Sequence, residues 1–255
     1  MPVMPSQDSL SPAASLIAFC RLPVPGQVKT RLAYSIGADA ACEWYSACAQ
    51  YTVALCSSLP HLASLVVYHS CKDESEDIQQ WLGAVGLGSP RVAAQRKGGD
   101  LGDKMLAALQ QEAQRHPKVI IVGSDVPGLS VAVLEAAVRA LDEHEVVLGP
   151  AVDGGYYLLG LTRVVPQLFQ DIAWSTDTVL DATVKTVHSV GLKLAPLHSL
   201  PVLRDIDHLA DLRDWVAGLP PPIASPRRAD IQNNLVDSKR RQLCCVSRTL
   251  LERST

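Results

Sequence analysis

The sequence predicts an α/β protein with a mostly parallel central sheet and helices on both faces. Short apolar runs with the length of buried strands recur along the chain, and stretches with the apolar spacing of helices lie between them. This alternation produces βαβ units, whose parallel strands are covered on both sides. The DGG at 153–155 lies between two strand-like runs, where glycines permit a tight connection. We therefore expect a hairpin to interrupt the parallel series there.

The predicted elements follow one another in a regular order. Strands are predicted over 15–20, 64–69, 118–124, 145–150 and 155–161. Helices are predicted over 38–58, 74–83, 101–115, 130–143, 176–190 and 207–217. Ser130 has the side chain of an N-cap for the fourth of these helices. Together the elements assign residues 15–220 to one domain.

The chain beyond this domain has a different composition. Residues 221–255 are Pro-rich at first and then basic, without a sustained apolar period. Such a segment buries too little apolar surface to offset the loss of backbone entropy on ordering. We therefore expect a C-terminal tail over 221–255 that is dispensable for folding, in which a short helix over 242–252 could form only against a partner.

Composition excludes several classes of protein. Lys and Arg total 23 against 26 Asp and Glu, so no basic field is available for nucleic acid. No apolar run approaches a membrane span, and the first residues lack a secretory signal, so we expect a cytoplasmic protein. The seven cysteines form no CxxC pair and the histidines no HxxxH pair, which argues against a disulfide framework or a zinc site. The oligomeric state is left open.

The loop after the first strand is the first candidate site, because ligands of open α/β sheets bind beyond the carboxyl ends of the strands. Residues 21–32 combine prolines and a glycine with Arg21, Lys29 and Arg31, and Thr30 lies between the last two. Backbone N–H groups and three cations suit a phosphate chain. The alternative is a solvated basic turn.

Acidic residues follow two other apolar runs. Asp125 comes directly after the strand predicted over 118–124, and Asp205 and Asp207 are two residues apart near the last helix. Carboxylates at strand ends can hold a hard divalent cation such as Mg²⁺ or Mn²⁺ against phosphates. Alternatively, Asp125 caps a turn and Asp207 caps the last helix.

Glycine-rich segments supply two further candidates. Gly154 and Gly155 would let a substrate approach the backbone closely, with Asp153 on the same rim, unless the three residues only form a turn. Gly99 and Asp100 precede a predicted helix start, where N–H groups can meet an anion, unless Asp100 is only a cap.

Six blocks of the chain, in order, resemble a known family. They are PVPGQVKTRL, GGDLGDKM, GSDVPGL, LGPAVDGGYYLLGL, WST and RDIDHLADL. They resemble the GT-A-type transferases often labelled glycosyltransferase or radical-SAM/selenodomain-associated transferase, which are similar to phospholactate guanylyltransferases. The resemblance covers about residues 15–217. One block departs from it: related nucleotidyltransferases commonly have an LAAGxGxRM-type loop where this chain has RLPVPGQVKTRL.

The resemblance implies a nucleotide-diphospho-sugar transferase (GT-A) fold. It implies that the loop after the first strand binds nucleotide phosphates and that Asp125, with Asp205 or Asp207, holds the metal. The DGGYY segment with Tyr156, and the block of Trp174, Ser175 and Thr176, are then the expected substrate pocket.

These expectations combine into a Mg²⁺- or Mn²⁺-dependent transferase that uses a nucleoside triphosphate or nucleotide-sugar and a small-molecule acceptor. In nucleotidyl transfer, Lys29 and Arg31 would hold the outer phosphates of a triphosphate. In glycosyl transfer they would hold a diphosphate, with Asp153 as the base. Three cations on one loop favour nucleotidyl transfer. The alternatives are a nucleotide-binding or nucleotide-sugar-binding regulatory module without turnover and a plain α/β scaffold.

Overall fold

The computed structural model describes residues 12–70, 75–219 and 235–254. Within these residues six strands form one sheet in the order β3-β2-β1-β4-β6-β5. The strands are β1 (Ala14–Cys20), β2 (Ala63–His69), β3 (Arg91–Ala94), β4 (Lys118–Gly123), β5 (Val146–Pro150) and β6 (Tyr156–Leu161). Strands β1 to β4 are mutually parallel, and β6 runs antiparallel to both of its neighbours. The α/β class with a mostly parallel sheet is confirmed.

Helices cover both faces of this sheet. They are α1 (Thr30–Ile36), α2 (Ala38–Ser57), α3 (Ser75–Ala84), α4 (Leu101–Ala113), α5 (Val131–Ala140), α6 (Val179–Ser189), α7 (Leu209–Ala217) and α8 (Leu235–Glu252). Short 3₁₀ turns lie at Pro166–Phe169 and Leu197–Ser199. The five predicted strands and six predicted helices are confirmed, with ends that differ by at most three residues. None of the helices in the described part of the chain is long and apolar enough to cross a membrane.

The core forms two layers, one on each face of the sheet. Successive side chains of a strand point to opposite faces. Leu16 and Ile120 therefore pack into the layer under α2, α5 and α8, whereas Ile17 and Ile121 pack into the layer under α4 and α6. Because both faces of β1 and β4 are buried, polar side chains are confined to the strand ends.

The predicted hairpin is the connection between β5 and β6. Gly154 has φ +87°, and a Cβ at this position would lie 2.1 Å from the Asp177 carbonyl oxygen. Its own carbonyl accepts a hydrogen bond from the Leu180 N–H at 2.9 Å, which joins the hairpin to the start of α6. The turn therefore requires glycine, and β6 is inserted between β4 and β5 in the reverse direction.

The sequence prediction missed β3, α1 and α8. β3 is four residues long, and its side chains are exposed or only half-buried, so it has no apolar run to reveal it. α1 begins at Thr30, inside the segment that we expected to be a loop.

The expectation that the C-terminal tail cannot pack is wrong for α8. Val236, Leu243 and Leu250, seven residues apart, are buried on the same core as α2. The polar residues between them also have partners: Ser247 Oγ accepts from Trp44 Nε1 at 3.0 Å, and Lys239 Nζ donates to an α2 side chain at 2.9 Å. A narrow seven-residue stripe with polar members gives little hydrophobic signal, although it packs well. Residues 220–234 lie outside the described residues, and the division at 220/221 into a domain and a tail stays a prediction.

Candidate active site

A cleft of about 540 Å³ opens at the carboxyl ends of the parallel strands. Residues that follow β1, β2, β3 and β4 line it, together with the start of α4 and the start of β6, which is antiparallel and so begins at this edge. The lining includes Arg21, Lys29, Thr30, Arg31, Ser70, Gln95, Asp100, Lys104, Ser124, Asp125, Tyr156, Tyr157, Ser175 and Asp207.

Three carboxylates converge at one end of this cleft. Asp125, Asp205 and Asp207 each offer an oxygen, and these three oxygens lie within 4.8 Å of one another. Asp125 follows β4, and the segment of the other two is held beside it by the hydrogen bond from the Ile206 N–H to the Asp125 carbonyl at 3.3 Å. A parallel bridge between Ala151 and Leu203 holds the same segment against the hairpin. The structure thus brings together the three acids that the sequence singled out. The cap of α7 is His208 rather than Asp207.

Lys29 lies between two of these acids. Its Nζ is 2.8 Å from Asp125 Oδ2 and 2.7 Å from Asp207 Oδ1, and only 6% of its side chain is exposed. The exposed Arg31 adds a contact of 3.1 Å to Asp207 Oδ2. Burial acts to lower the pKa of Lys29, but the two carboxylates outweigh it and raise the pKa above its ordinary value. The sequence did not predict this arrangement of Lys29.

The acids differ in their protonation behaviour. Burial would raise the pKa of Asp207, but Lys29 and Arg31 hold the pKa below its usual value. Asp205 makes no salt bridge to any residue that the structure describes. Its burial, followed by the charges of Asp125 and Asp153, raises its pKa to about 6. One carboxylate of the cluster therefore lacks a paired cation, which is the situation that a metal ion would relieve.

The loop after β1 is held closed by its own backbone and by α2. Lys29 has a left-handed backbone (φ 46°, ψ 48°) at the N-cap of α1. Arg21 donates through its backbone N–H to Tyr45 Oη at 2.7 Å and through its guanidinium to the Gln27 carbonyl at 3.5 Å. Tyr45 Oη also lies 3.0 Å from Ser124 Oγ. The loop after β1 and the loop after β4 therefore share one buried tyrosine.

The floor of the cleft contains a thiol that is unsuited to nucleophilic chemistry. Cys20, the last residue of β1, lines the cleft and is buried. Burial raises its pKa to about 12, with a smaller effect in the same direction from Asp125. Since the thiolate is the reactive form, this cysteine is inert at neutral pH.

The start of α4 shows the capping role of Asp100. Asp100 Oδ1 accepts from the Asp103 N–H at 2.9 Å, and Asp103 Oδ2 accepts from the Asp100 N–H at 3.2 Å. Asp100 and Lys104 line the cleft, whereas Gly99, with φ +73°, forms the turn before the helix. Contact of Gly99 and Asp100 with a nucleotide stays a prediction.

The predicted substrate segments reach the cleft only in part. Tyr156 and Ser175 line it. Asp153 is exposed and its Oδ1 accepts from the Gly155 N–H at 3.0 Å, as in a turn. Gly154 is occupied in the hairpin contact described above. Thr176 Oγ1 donates to the Ala173 carbonyl at 2.7 Å.

Trp174 packs on the first turn of α4. A Cβ at Gly102 would lie 2.6 to 2.8 Å from atoms of its indole ring, so the ring lies directly on the helix backbone. Trp174 and Thr176 therefore position Ser175, whose φ is +65°, at the rim of the cleft. Substrate contacts of the whole block stay a prediction.

Sequence reasoning missed several residues that line the cleft. Ser70 and Gln95 follow β2 and β3 at the same sheet edge, and Lys104 lies in the first turn of α4. The rule that residues directly after strands face the ligand would have found Ser70. Gln95 required knowledge of β3.

Comparison with known proteins gives one family and one close fold. Residues 52–176, just under half of the chain, match the family described as "Uncharacterized protein conserved in bacteria (DUF2064)". No curated protein matches the sequence. Phospholactate guanylyltransferase is absent from the solved structures given below, and the likeness to it stays a prediction.

Among solved structures, a protein from Desulfovibrio desulfuricans G20, provisionally described as a nucleotide-diphospho-sugar transferase, is 26% identical with a TM-score of 0.75. The match covers 94% of this chain and 98% of that one. The 4-diphosphocytidyl-2C-methyl-D-erythritol synthase from Anaerococcus prevotii DSM 20548 matches at 9% identity and a TM-score of 0.49, over 78% of this chain and 95% of that one. Glucosyl-3-phosphoglycerate synthase from Mycobacterium tuberculosis matches at 11% and 0.45, over 92% and 80%. The last two lie too low to support the assignment; the first shows that the chain has the nucleotide-diphospho-sugar transferase fold.

Proposed function

We propose that this chain is a divalent-metal-dependent transferase that acts on a nucleotide-activated donor. The observation that carries the proposal is the convergence of Asp125, Asp205 and Asp207 in a cleft at the carboxyl ends of the strands. Ligands of open α/β sheets bind at this edge. The description of the similar Desulfovibrio protein as a nucleotide-diphospho-sugar transferase supports the same reading.

The acidic cluster fits a hard divalent cation. Mg²⁺ and Mn²⁺ prefer oxygen ligands, and three carboxylate oxygens within 4.8 Å of one another form such a donor set. The unpaired Asp205 adds negative charge that Lys29 and Arg31 do not balance. When bound, the metal would stabilise the negative charge that develops on the departing phosphate groups.

The chain's own cations would complete the phosphate site. Arg21, Arg31 and Lys104 line the cleft on the two sides of the acids, where they can bind and orient a diphosphate. Fixed cations in a partly enclosed cleft need no reorganisation as charge develops on the leaving group. The loop from Arg21 to Thr30 then covers the phosphates and limits the access of water.

Among donors, we place a nucleoside diphosphate sugar first. The preference for nucleotidyl transfer rested on three free cations in the first loop, but Lys29 and Arg31 both contact carboxylates. The remaining positive charge suits a diphosphate better than a triphosphate. Asp153, at the rim and within the electrostatic reach of Asp205, is the carboxylate that we assign as base for an acceptor hydroxyl.

Nucleotidyl transfer is the second candidate, and Lys104 favours it. This lysine faces the cleft from the first turn of α4, opposite the first loop, and adds a cation that the sequence prediction did not include. A third phosphate would have a partner there.

A ligand panel tests the proposal and separates the candidates. Purified protein is melted with nucleoside triphosphates and with nucleoside diphosphate sugars, each with and without Mn²⁺. We expect a Mn²⁺-dependent rise in melting temperature with one class of donor. Release of nucleoside diphosphate in the presence of an acceptor extract identifies glycosyl transfer, and release of pyrophosphate identifies nucleotidyl transfer. A shift without either product would indicate a binding module, and no shift with any nucleotide would refute the proposal.

A further inference from the structure

We propose that Lys29 is an exchangeable counter-ion: it occupies the acidic cluster in the free protein and moves to the donor phosphates when a divalent ion enters. Metal and nucleotide would then bind cooperatively, each weakly without the other. This inference rests on the proposed function, because it concerns the same metal and the same donor.

The position of the ammonium group carries the proposal. Lys29 Nζ contacts Asp125 Oδ2 at 2.8 Å and Asp207 Oδ1 at 2.7 Å. Both carboxylates belong to the set whose oxygens lie within 4.8 Å of one another. A divalent ion held by the same carboxylates would lie close to the ammonium, and two cations at such a distance repel strongly in a partly buried site. Metal and Lys29 therefore compete for the acids.

The burial of Lys29 limits where it can go. With 6% of its side chain exposed, it cannot simply turn into solvent while the loop stays in place. A buried ammonium needs an anionic or hydrogen-bonding partner. Donor phosphates in the adjoining cleft are such partners, because Lys29 itself lines that cleft. A nucleotide would thus draw the lysine away from the carboxylates and make them available to the metal.

Loss of a proton does not provide another route for release. The carboxylates raise the pKa of Lys29 above its ordinary value despite its burial. The side chain therefore remains charged at neutral pH, and the competitor must be moved rather than neutralised. By linkage, the factor by which nucleotide tightens metal binding equals the factor by which metal tightens nucleotide binding.

The experiment measures Mn²⁺ binding by electron paramagnetic resonance, without turnover. Wild-type protein is titrated with Mn²⁺ alone and with Mn²⁺ plus the nucleoside diphosphates UDP and GDP in turn. We expect Mn²⁺ alone to bind weakly and one of the nucleotides to tighten it by at least about tenfold. In Lys29→Met, which keeps the length of the chain and removes the charge, Mn²⁺ alone should bind at least about tenfold more tightly than in wild type. The effect of the nucleotide on Mn²⁺ affinity should shrink correspondingly.

Arg31→Met is the matched control. It removes one cation that touches Asp207, but an exposed one that does not lie between two ligand carboxylates. We expect it to change the affinity for Mn²⁺ alone by less than about threefold, since an exposed charge in solvent is strongly screened. Equal gains in Lys29→Met and Arg31→Met would mean general electrostatics and would overturn the exchange.

The remaining outcomes also decide. If wild type binds Mn²⁺ equally well with and without either nucleotide, the exchange is overturned while the metal site of the proposed function stands. If neither wild type nor Lys29→Met binds Mn²⁺ under any condition, the proposed metal site itself fails. The wild-type comparison needs no variant, so it decides even where Lys29→Met does not fold, and Lys29→Gln serves as a second substitution.

Discussion

Two buried lysines of this protein have opposite surroundings. Lys29 contacts two carboxylates at the edge of the cleft, and its pKa is raised. Lys239 of α8 donates to the neutral amide oxygen of Gln50 at 2.9 Å, and burial lowers its pKa. Near Lys29, acids are gathered in excess of what the lysine needs, whereas Lys239 has only the partner that satisfies one hydrogen bond. The difference separates a site organised around charge from a helix contact organised around packing.

The largest expected effect is on metal-dependent binding at the acidic cluster. Asp125→Asn removes a charge from two functions, the partner of Lys29 and a metal ligand. We expect Mn²⁺-dependent nucleotide binding to fall by at least about a hundredfold, while the melting temperature without ligand changes by only a few degrees. Isothermal titration calorimetry with Mn²⁺ and nucleoside diphosphate provides the measurement.

Asp142→Asn is the matched control for this substitution. Asp142 also pairs with a lysine, Lys118, at 2.5 Å, but on the surface and away from the cleft. Its removal should leave nucleotide binding unchanged. An Asp125→Asn protein that binds Mn²⁺ and nucleotide like wild type would remove Asp125 from the metal site.

The second effect concerns the packing of α8. Leu243 is fully buried against the core that includes α2. Leu243→Ala should lower the free energy of unfolding by about 2 to 4 kcal/mol, through lost burial and the cavity left behind. Deletion of 222–255, which the sequence alone suggested would be harmless, should lower the melting temperature by about 10 °C or more. Urea denaturation and thermal melts measure the two changes.

Cys245→Ala on the same helix supplies the reference for α8. Its side chain is exposed, so the change in unfolding free energy should stay within about 0.5 kcal/mol. If the truncated protein melts at the wild-type temperature, the contact between α8 and α2 contributes nothing to stability.

The two lysines should also differ in their effect on donor binding. Lys29→Met should weaken a nucleoside diphosphate by about tenfold or more but the bare nucleoside by less than about threefold, because only the diphosphate offers partners for the ammonium. Lys239→Met should leave both affinities unchanged. Competition binding with the two ligands measures this, and an equal loss for nucleoside and diphosphate in Lys29→Met would mean that the lysine acts through folding.

The smallest effect is the pH dependence of stability at Lys239. Its folded pKa lies below the ordinary 10.5, so the unfolded chain binds more protons between the two values. Wild type should therefore gain stability relative to Lys239→Met as pH rises toward 10.5, because the penalty for burying the charge disappears. Urea midpoints of both proteins between about pH 8 and 10.5 measure the difference. A constant difference across this range would mean that the pKa of Lys239 is unchanged on folding.

Sequence patterns predicted the sheet because its central strands are continuous apolar runs. They also predicted that Asp125, Asp205 and Asp207 meet, since residues directly after strands gather at one sheet edge. The position of Lys29 could not be predicted, because its partners are 96 and 178 residues away and any of several acids could have taken that place. α8 escaped prediction for another reason: Ser247 and Lys239 look like surface residues until Trp44 and Gln50 are seen beside them.

The most direct test of the central claim is the position of the metal. Crystals grown with Mn²⁺ and the nucleoside diphosphate selected by the ligand panel give an anomalous difference map at a wavelength where manganese scatters. The account predicts a peak at about 2.0 to 2.3 Å from oxygens of Asp125, Asp207 or Asp205, with Lys29 Nζ on a phosphate oxygen. A peak away from these carboxylates, or a bound nucleotide outside the cleft, would contradict it.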